Sequence, residues 1–90
     1  LVACIVANPK GLGRILYDSQ GQIRGVVEEK DATDVQRQLK DIYAGILLAS
    51  CMALTQWLSD VTNHNVQKEY YLPDVIGLAA NQGVPIRAIF

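Results

Sequence analysis

"RILYDSQGQIRGVVE", Arg14 to Glu28, is the stretch whose reading decides the fold. Two aliphatic-rich runs, "RILY" and "IRGVVE", flank "DSQGQ". Asp18 to Gln22 carries turn chemistry, with Gly21 free to take a positive φ, so the stretch reads as a β-hairpin. Strand alternation then puts Ile23, Gly25 and Val27 on one face and Arg24, Val26 and Glu28 on the other.

Just upstream lies "NPKGLGR", Asn8 to Arg14. Glycines this close mean that the backbone turns or approaches something closely. Its flanking Lys10 and Arg14 suggest a phosphate or a sugar phosphate. As a motif the stretch is weak. No Gly-Lys-Ser/Thr follows, which excludes a P-loop, and a dinucleotide fingerprint would need a third glycine and a following helix. A ligand loop and a plain tight turn both stay open at this level. Before it, Leu1 to Ala7 is an apolar, β-branched run that reads as a buried strand.

Downstream, "EKDATDVQRQLKD" is polar, with a capping box expected from Thr33 to Gln36. "IYAGILLA", Ile42 to Ala49, reads as another buried strand, and Ser50 as the cap of a following helix. In that helix Leu54, Trp57, Leu58 and Val61 form one apolar face. "TNHNVQKEYY" is a polar loop. Pro73 suits the first turn of a last helix, with Asp74 near its positive end, Val75, Leu78 and Ala79 facing inward, and Gly83 as its stop. "PIRAIF" reads as a final strand. Strands alternate with helices around an early inserted hairpin, which predicts the later part of an α/β domain with a mixed sheet.

The chain has 90 residues, is half hydrophobic and about a fifth charged, and carries a net charge of −1. That is a globular composition with no basic excess calling for nucleic acid or an anionic membrane. No apolar run reaches transmembrane length. "LVACIVA" lacks the basic flank of a signal peptide. Leu1 is not an initiator methionine, and Phe90 directly follows a strand-like run. Both ends are therefore expected to be cuts through structure, in a piece of a longer protein. Cys4 and Cys51 are the only cysteines and His64 the only histidine, a poor basis for zinc. Both cysteines sit in apolar runs and read as free buried thiols, in keeping with a reducing, cytoplasmic setting.

Candidate chemistry is sparse. Glu28, Glu29, Lys30 and Asp31 form a charged knot at a strand end, where a carboxylate can accept hydrogen bonds from sugar hydroxyls. A merely solvated strand end is the plainer reading. His64, among asparagines and without a partner at catalytic spacing, reads as a surface histidine. Tyr70 and Tyr71, just before a helix, read as core anchors, although a hydroxyl there can also reach a ligand.

Taken in order, "GLGR", "GVVEEKDATDVQRQ", "AGILLA", "WL" and "EYYLPDVIGLA" resemble the family of bacterial bifunctional N-acetylglucosamine-1-phosphate uridyltransferase / glucosamine-1-phosphate acetyltransferase enzymes. The likeness runs over nearly the whole chain, and "VEEKDATDVQR" and "EYYLPD" are its specific segments. It implies that residues 1–90 are the C-terminal, sugar-binding part of a Rossmann-like uridylyltransferase (pyrophosphorylase) domain. Such a domain joins UTP and N-acetylglucosamine 1-phosphate into UDP-N-acetylglucosamine and pyrophosphate, for peptidoglycan and lipopolysaccharide synthesis. The resemblance also implies Mg²⁺ with ligands outside this chain, a homotrimeric parent with a β-helical acetyltransferase half, and no catalytic residue here.

By the same resemblance Gly13 matches the glycine whose backbone meets the sugar. Glu28 matches the glutamate that binds sugar hydroxyls, and Glu69 and Tyr71 fall in a segment lining that pocket. At two positions the chain departs from the family. Tyr43 stands where an Asn that contacts the sugar nucleotide is common, and Pro73 where Thr is common. Two alternatives stay open: a nucleotidyltransferase for another sugar phosphate, and a binding module that has lost catalysis. A half-sheet with an open edge also makes a dimeric or swapped fragment an expectation.

Overall fold

A computed structural model describes all of residues 1–90. The hairpin is present. Strands β2 (Arg14–Tyr17) and β3 (Ile23–Val27) pair antiparallel. Their turn is tied by Asp18 Oδ1, which accepts from the N–H of Gln20 at 2.8 Å and of Gln22 at 3.0 Å. With β1 (Ala3–Ile5) and β4 (Asp41–Tyr43) they form a four-stranded sheet of order β1-β4-β2-β3.

All three strand pairings are antiparallel, so the expected mixed sheet is corrected. The parallel contact is a lone bridge between Val2 and Ile89. "PIRAIF" is therefore not a strand. Pro85 has no N–H to give to a ladder. Ile86 packs instead against the helical core.

The apolar runs are less buried than expected. In β1 only Ala3 is buried, and Ile5 is 71 % exposed on a sheet edge. "IYAGILLA" contributes strand only as far as Tyr43. Gly45 takes φ +84° and interrupts the regular ladder, although Ile46 still accepts the Val2 N–H at 2.9 Å, and Leu48 is 95 % exposed. Cys4 and Cys51 are free, as expected, but exposed rather than buried. Cys4 lies on the edge strand β1 and Cys51 opens a helix with its first side chain in solvent.

A 3-10 turn (Glu29–Asp31) and α1 (Asp34–Arg37) follow the hairpin, α2 (Cys51–Asp60) follows β4, and α3 (Asp74–Asn81) comes last. The capping box forms as expected. Gln36 N–H donates to Thr33 Oγ1 at 3.1 Å, and Thr33 N–H to Gln36 Oε1 at 2.9 Å. Ser50 caps α2 by accepting from Ala53 N–H at 3.2 Å. Pro73 occupies the first position before α3, without a capping bond, and Gly83 lies just past its end.

Trp57, Val75, Ile76 and Ala79 make the core between α2 and α3. Val75 and Ala79 are buried and Leu78 packs partly buried against the core, as expected; Ile76 joins them, and Leu58, expected on the apolar face of α2, turns outward. Ile23 and Val26 both pack against this core. They were expected on opposite faces. A register irregularity between Leu16 and Tyr17, which pairs Tyr17 with Ile23, brings them to the same side.

Candidate functional site

The register of the sheet assembles three of the five predicted residues. Arg14 pairs with Val27 on β3 and with Ile42 on β4. One step along, Gly13 lies between Glu28 and Tyr43, residues far apart in sequence. Tyr43 N–H donates to the Gly13 carbonyl at 3.0 Å, whereas the Gly13 N–H has no protein acceptor. Cross-strand neighbours share a face, so Gly13, Glu28 and Tyr43 point to one side and Arg14 to the other.

The two glycines of the opening loop do different work. Gly11 takes φ +82° with open space around it, so it serves the turn. Gly13 serves close approach. A Cβ there would meet Val26 Cγ1 at 3.1 Å and Glu28 Oε1 at 3.3 Å. Gly11→Ala is expected to destabilise the chain by about 1 kcal/mol, through backbone strain without a clash. A thermal melt should therefore fall by about 4–8 °C. An unchanged melting temperature would show that the turn tolerates another conformation.

The flanking basic residues part company. Lys10 is exposed, while Arg14 is 2 % exposed and bonds only to protein. Arg14 is therefore not a phosphate-binding side chain here.

Glu28 faces two further carboxylates. Burial, then the charges of Asp74 and Asp31, raise the Glu28 carboxyl above its ordinary value. Burial, then Asp31, raise Asp74. Burial, then Glu28, raise the Tyr43 hydroxyl. The folded chain thus holds protons on Glu28 and Asp74 at pH values where the unfolded chain has lost them. The stability contributed by these two groups falls as pH rises from the unfolded pKa through the raised folded pKa, then levels. Asp74→Asn should shift the Glu28 titration downward, though not fully to its ordinary value, since burial is the larger cause. Carboxyl-carbon NMR checks this, and an unmoved midpoint would mean that Asp74 is not felt.

Asp31 also bears on the loop that holds the other two predicted residues, Glu69 and Tyr71. It accepts the Val66 N–H at 2.7 Å, which anchors the loop before α3. In that loop Gln67 Nε2 donates to the Tyr71 hydroxyl at 2.7 Å. Burial is the first cause of the raised Tyr71 hydroxyl, with the charges of Asp31 and Glu69 adding to it. Glu69 is exposed and is held through its backbone, its N–H donating to Asn65 Oδ1 at 3.2 Å and its carbonyl accepting from Asn65 Nδ2 at 2.6 Å. Tyr70 is 70 % exposed and is not the core anchor expected of it. His64 is exposed, as expected.

The residues thus fall into a tight group, Gly13, Glu28 and Tyr43, and a looser one, Glu69 and Tyr71, linked through Asp31. Sequence reasoning missed Asp31 and Asp74 as neighbours of Glu28. Asp31 was visible in the charged knot, but no local spacing ties Asp74 to it. Together the three carboxylates make no cluster able to hold a metal ion.

Gly13 is buried and Glu28 and Tyr43 are half-buried, so the three form a shelf on the sheet face that is largely closed by their own side chains. Two concavities of about 490 and 660 Å³ lie elsewhere, and neither is lined by any of the five residues. The first is an apolar groove along α2 and α3 that includes Trp57, Val75 and Ile89. The second lies between the hairpin turn and the end of α3. The apolar groove offers sugar hydroxyls little to bond, whereas the second concavity carries polar groups, Asp18, Arg24 and Asn81 among them. No helix is long and apolar enough to cross a membrane.

No family model matches the chain. Among curated proteins, it is 49 % identical over 84 residues to a "Bifunctional protein GlmU" of Bordetella parapertussis, covering 93 % of this chain and 18 % of that protein. The same figures hold for the protein of that name from Bordetella bronchiseptica. One from Paracidovorax citrulli is 43 % identical over 88 residues, covering 98 % of this chain and 19 % of the relative. The chain thus spans about a fifth of the length of these relatives.

Proposed function

Because the chain is homologous along nearly its whole length to a short region of the bifunctional GlmU proteins, we propose that it is the sugar-binding part of their uridylyltransferase activity. The complete protein would transfer UMP from UTP to N-acetylglucosamine 1-phosphate, giving UDP-N-acetylglucosamine and pyrophosphate in the cytoplasm. It would act as a homotrimer and feed cell-wall and lipopolysaccharide synthesis. The observation that carries this reading is the Gly13–Glu28 juxtaposition. The Gly13 N–H, which has no protein acceptor, is buried beside the half-buried Glu28 carboxylate, with the Tyr43 backbone bonded alongside.

That pair suits a sugar. The Glu28 carboxylate accepts from hydroxyls, and its charge strengthens those bonds. The Gly13 N–H is left for a sugar oxygen, which reaches it only when the Glu28 side chain, now packed where a Gly13 Cβ would stand, turns toward the ligand. Neither group can place cations around a phosphoryl group in transfer, on which such chemistry depends. The family implies Mg²⁺ for that task. No group of three or more His, Cys, Asp or Glu side chains here is arranged to hold it, and its ligands are proposed to come from other parts of the complete protein. Accordingly, the 90-residue chain alone should release no pyrophosphate above background, and measurable turnover by the pure chain would sink this assignment.

The direct test is pyrophosphate release by the complete protein with Mg²⁺, UTP and N-acetylglucosamine 1-phosphate, run beside other sugar 1-phosphates. Preference for N-acetylglucosamine 1-phosphate supports the reading, and its absence overturns it. One observation favours a second reading, another sugar phosphate as substrate. Tyr43, larger than the Asn common in the resembling family, packs against the helical core and feels the Glu28 charge. The same substrate panel separates the two.

A further inference from the structure

We propose that Arg14 is a positioning residue for the sugar phosphate, acting with Glu29 to hold the Gly13 backbone against Glu28. The inference rests on the sugar-phosphate reading above.

Arg14 is the one charged side chain in the buried set. Its guanidinium is directed to the two segments that carry the candidate site. It donates to the carbonyl of Leu12, the residue before Gly13, and at 3.3 Å to Oε1 of Glu29, the residue after Glu28. It also donates to the carbonyls of Arg37 and Leu39, both at 3.0 Å, which anchors the pair to the end of α1. The other Glu29 oxygen accepts the Gly11 N–H at 2.7 Å. Arg37 Nε closes the ring by donating to the Glu29 carbonyl at 3.1 Å. Glu29 is held below its ordinary carboxyl value although burial acts in the opposite sense, because the Gly11 N–H and Arg14 favour its charge.

The clamp therefore grips the glycine loop at Gly11 and Leu12 and the charged knot at Glu29. Gly13 and Glu28 are the next residues on each side. Strand alternation sends the Arg14 side chain to the face away from Gly13, Glu28 and Tyr43. Arg14 does not touch a ligand on that shelf and acts through the backbone.

Packing alone does not account for an arginine here. Burying a charge is costly, and an apolar side chain of similar volume often stabilises as well or better. What the guanidinium adds is a rigid fork of five donors, which fixes several acceptors at once. Lysine offers a point charge without that geometry.

The test uses the complete protein carrying Arg14→Lys and, separately, Glu29→Gln. Pyrophosphate release is measured with N-acetylglucosamine 1-phosphate and UTP varied in turn. Hydrogen–deuterium exchange is followed in the peptides covering residues 10–13, α2 and α3. Arg14→Lys is expected to raise the sugar-phosphate KM about tenfold, with the UTP KM within about twofold. Glu29→Gln should act in the same direction but less. Exchange should quicken at residues 10–13 in both variants and keep its wild-type rate in α2 and α3.

Unchanged exchange at residues 10–13 overturns the clamp. Exchange quickened throughout, with both KM values raised alike, overturns positioning in favour of bulk structural support. If the wild-type protein does not turn over N-acetylglucosamine 1-phosphate while the variant loops loosen locally, the sugar-phosphate reading is overturned, and the clamp itself is upheld.

Discussion

Glu28→Gln in the complete protein is expected to raise the KM for N-acetylglucosamine 1-phosphate by about tenfold to a hundredfold, the range given by losing one charge-assisted hydrogen bond. The UTP KM should stay near its wild-type value, since the shelf is proposed to hold the sugar. The substitution keeps the shape and one carbonyl oxygen of the side chain. It removes the charge and places N–H donors where the sugar hydroxyls need acceptors. Stability should change little and not for the worse, because the ionised form of Glu28 is disfavoured by burial and by Asp74 and Asp31. Steady-state kinetics with each substrate varied, beside a thermal melt, separates these effects. An unchanged sugar-phosphate KM would remove Glu28 from the site. A collapse of the melting temperature would instead make it a structural residue.

Trp57→Ala is expected to produce the largest loss of stability. Trp57 is 7 % exposed and is the largest member of a core whose other buried residues are Val75, Ile76 and Ala79. Its indole N–H also donates to Gln82 Oε1 at 3.0 Å, which ties α2 to the end of α3. Truncating a buried tryptophan costs about 3–5 kcal/mol. That is a large share of the roughly 5–15 kcal/mol that holds a typical domain together. The melting temperature should fall by roughly 15–30 °C, or the cooperative transition should vanish. Circular dichroism on the 90-residue chain reads this directly. Trp57→Phe keeps the packing and loses the bond to Gln82, so it should cost about 1 kcal/mol. A small shift for Trp57→Ala would mean that the α2–α3 contact contributes little to stability.

The open apolar surface fits a chain that spans about a fifth of its relatives. Leu48, Met52 and Ile89 are 95 %, 87 % and 72 % exposed, and the groove of about 490 Å³ lies along the same helices. Exposed side chains of this kind gain by being covered. Runs such as "LVACIVA" and "IYAGILLA" carry the hydrophobicity of buried strands, yet α2 and α3 cover only part of them, through Leu1, Tyr43, Leu47 and Ala49.

Local chemistry was readable directly. Asp18 and Gly21 specified the hairpin turn, Thr33 and Gln36 the capping box, Ser50 the start of α2, and Pro73 and Gly83 the bounds of α3. Each depends on neighbours a few residues away, so the sequence holds the whole interaction. Gly13 and Glu28 were singled out through the resemblance of the segments that contain them. Their contact was not. It follows from strand register, a pairing between positions with no fixed sequence separation. The same holds for Tyr43 beside Gly13, for Asp74 facing Glu28 from another element, and for Arg14, which reads as a loop cation and is a buried clamp. Sequence by itself determined the turns, caps and helix bounds, because those energies are local. Only the tertiary structure decided which strands pair, which side Ile23 takes after the irregularity beside Tyr17, and which charges meet. Those outcomes depend on long-range burial and on Coulomb energies between groups that only folding brings together.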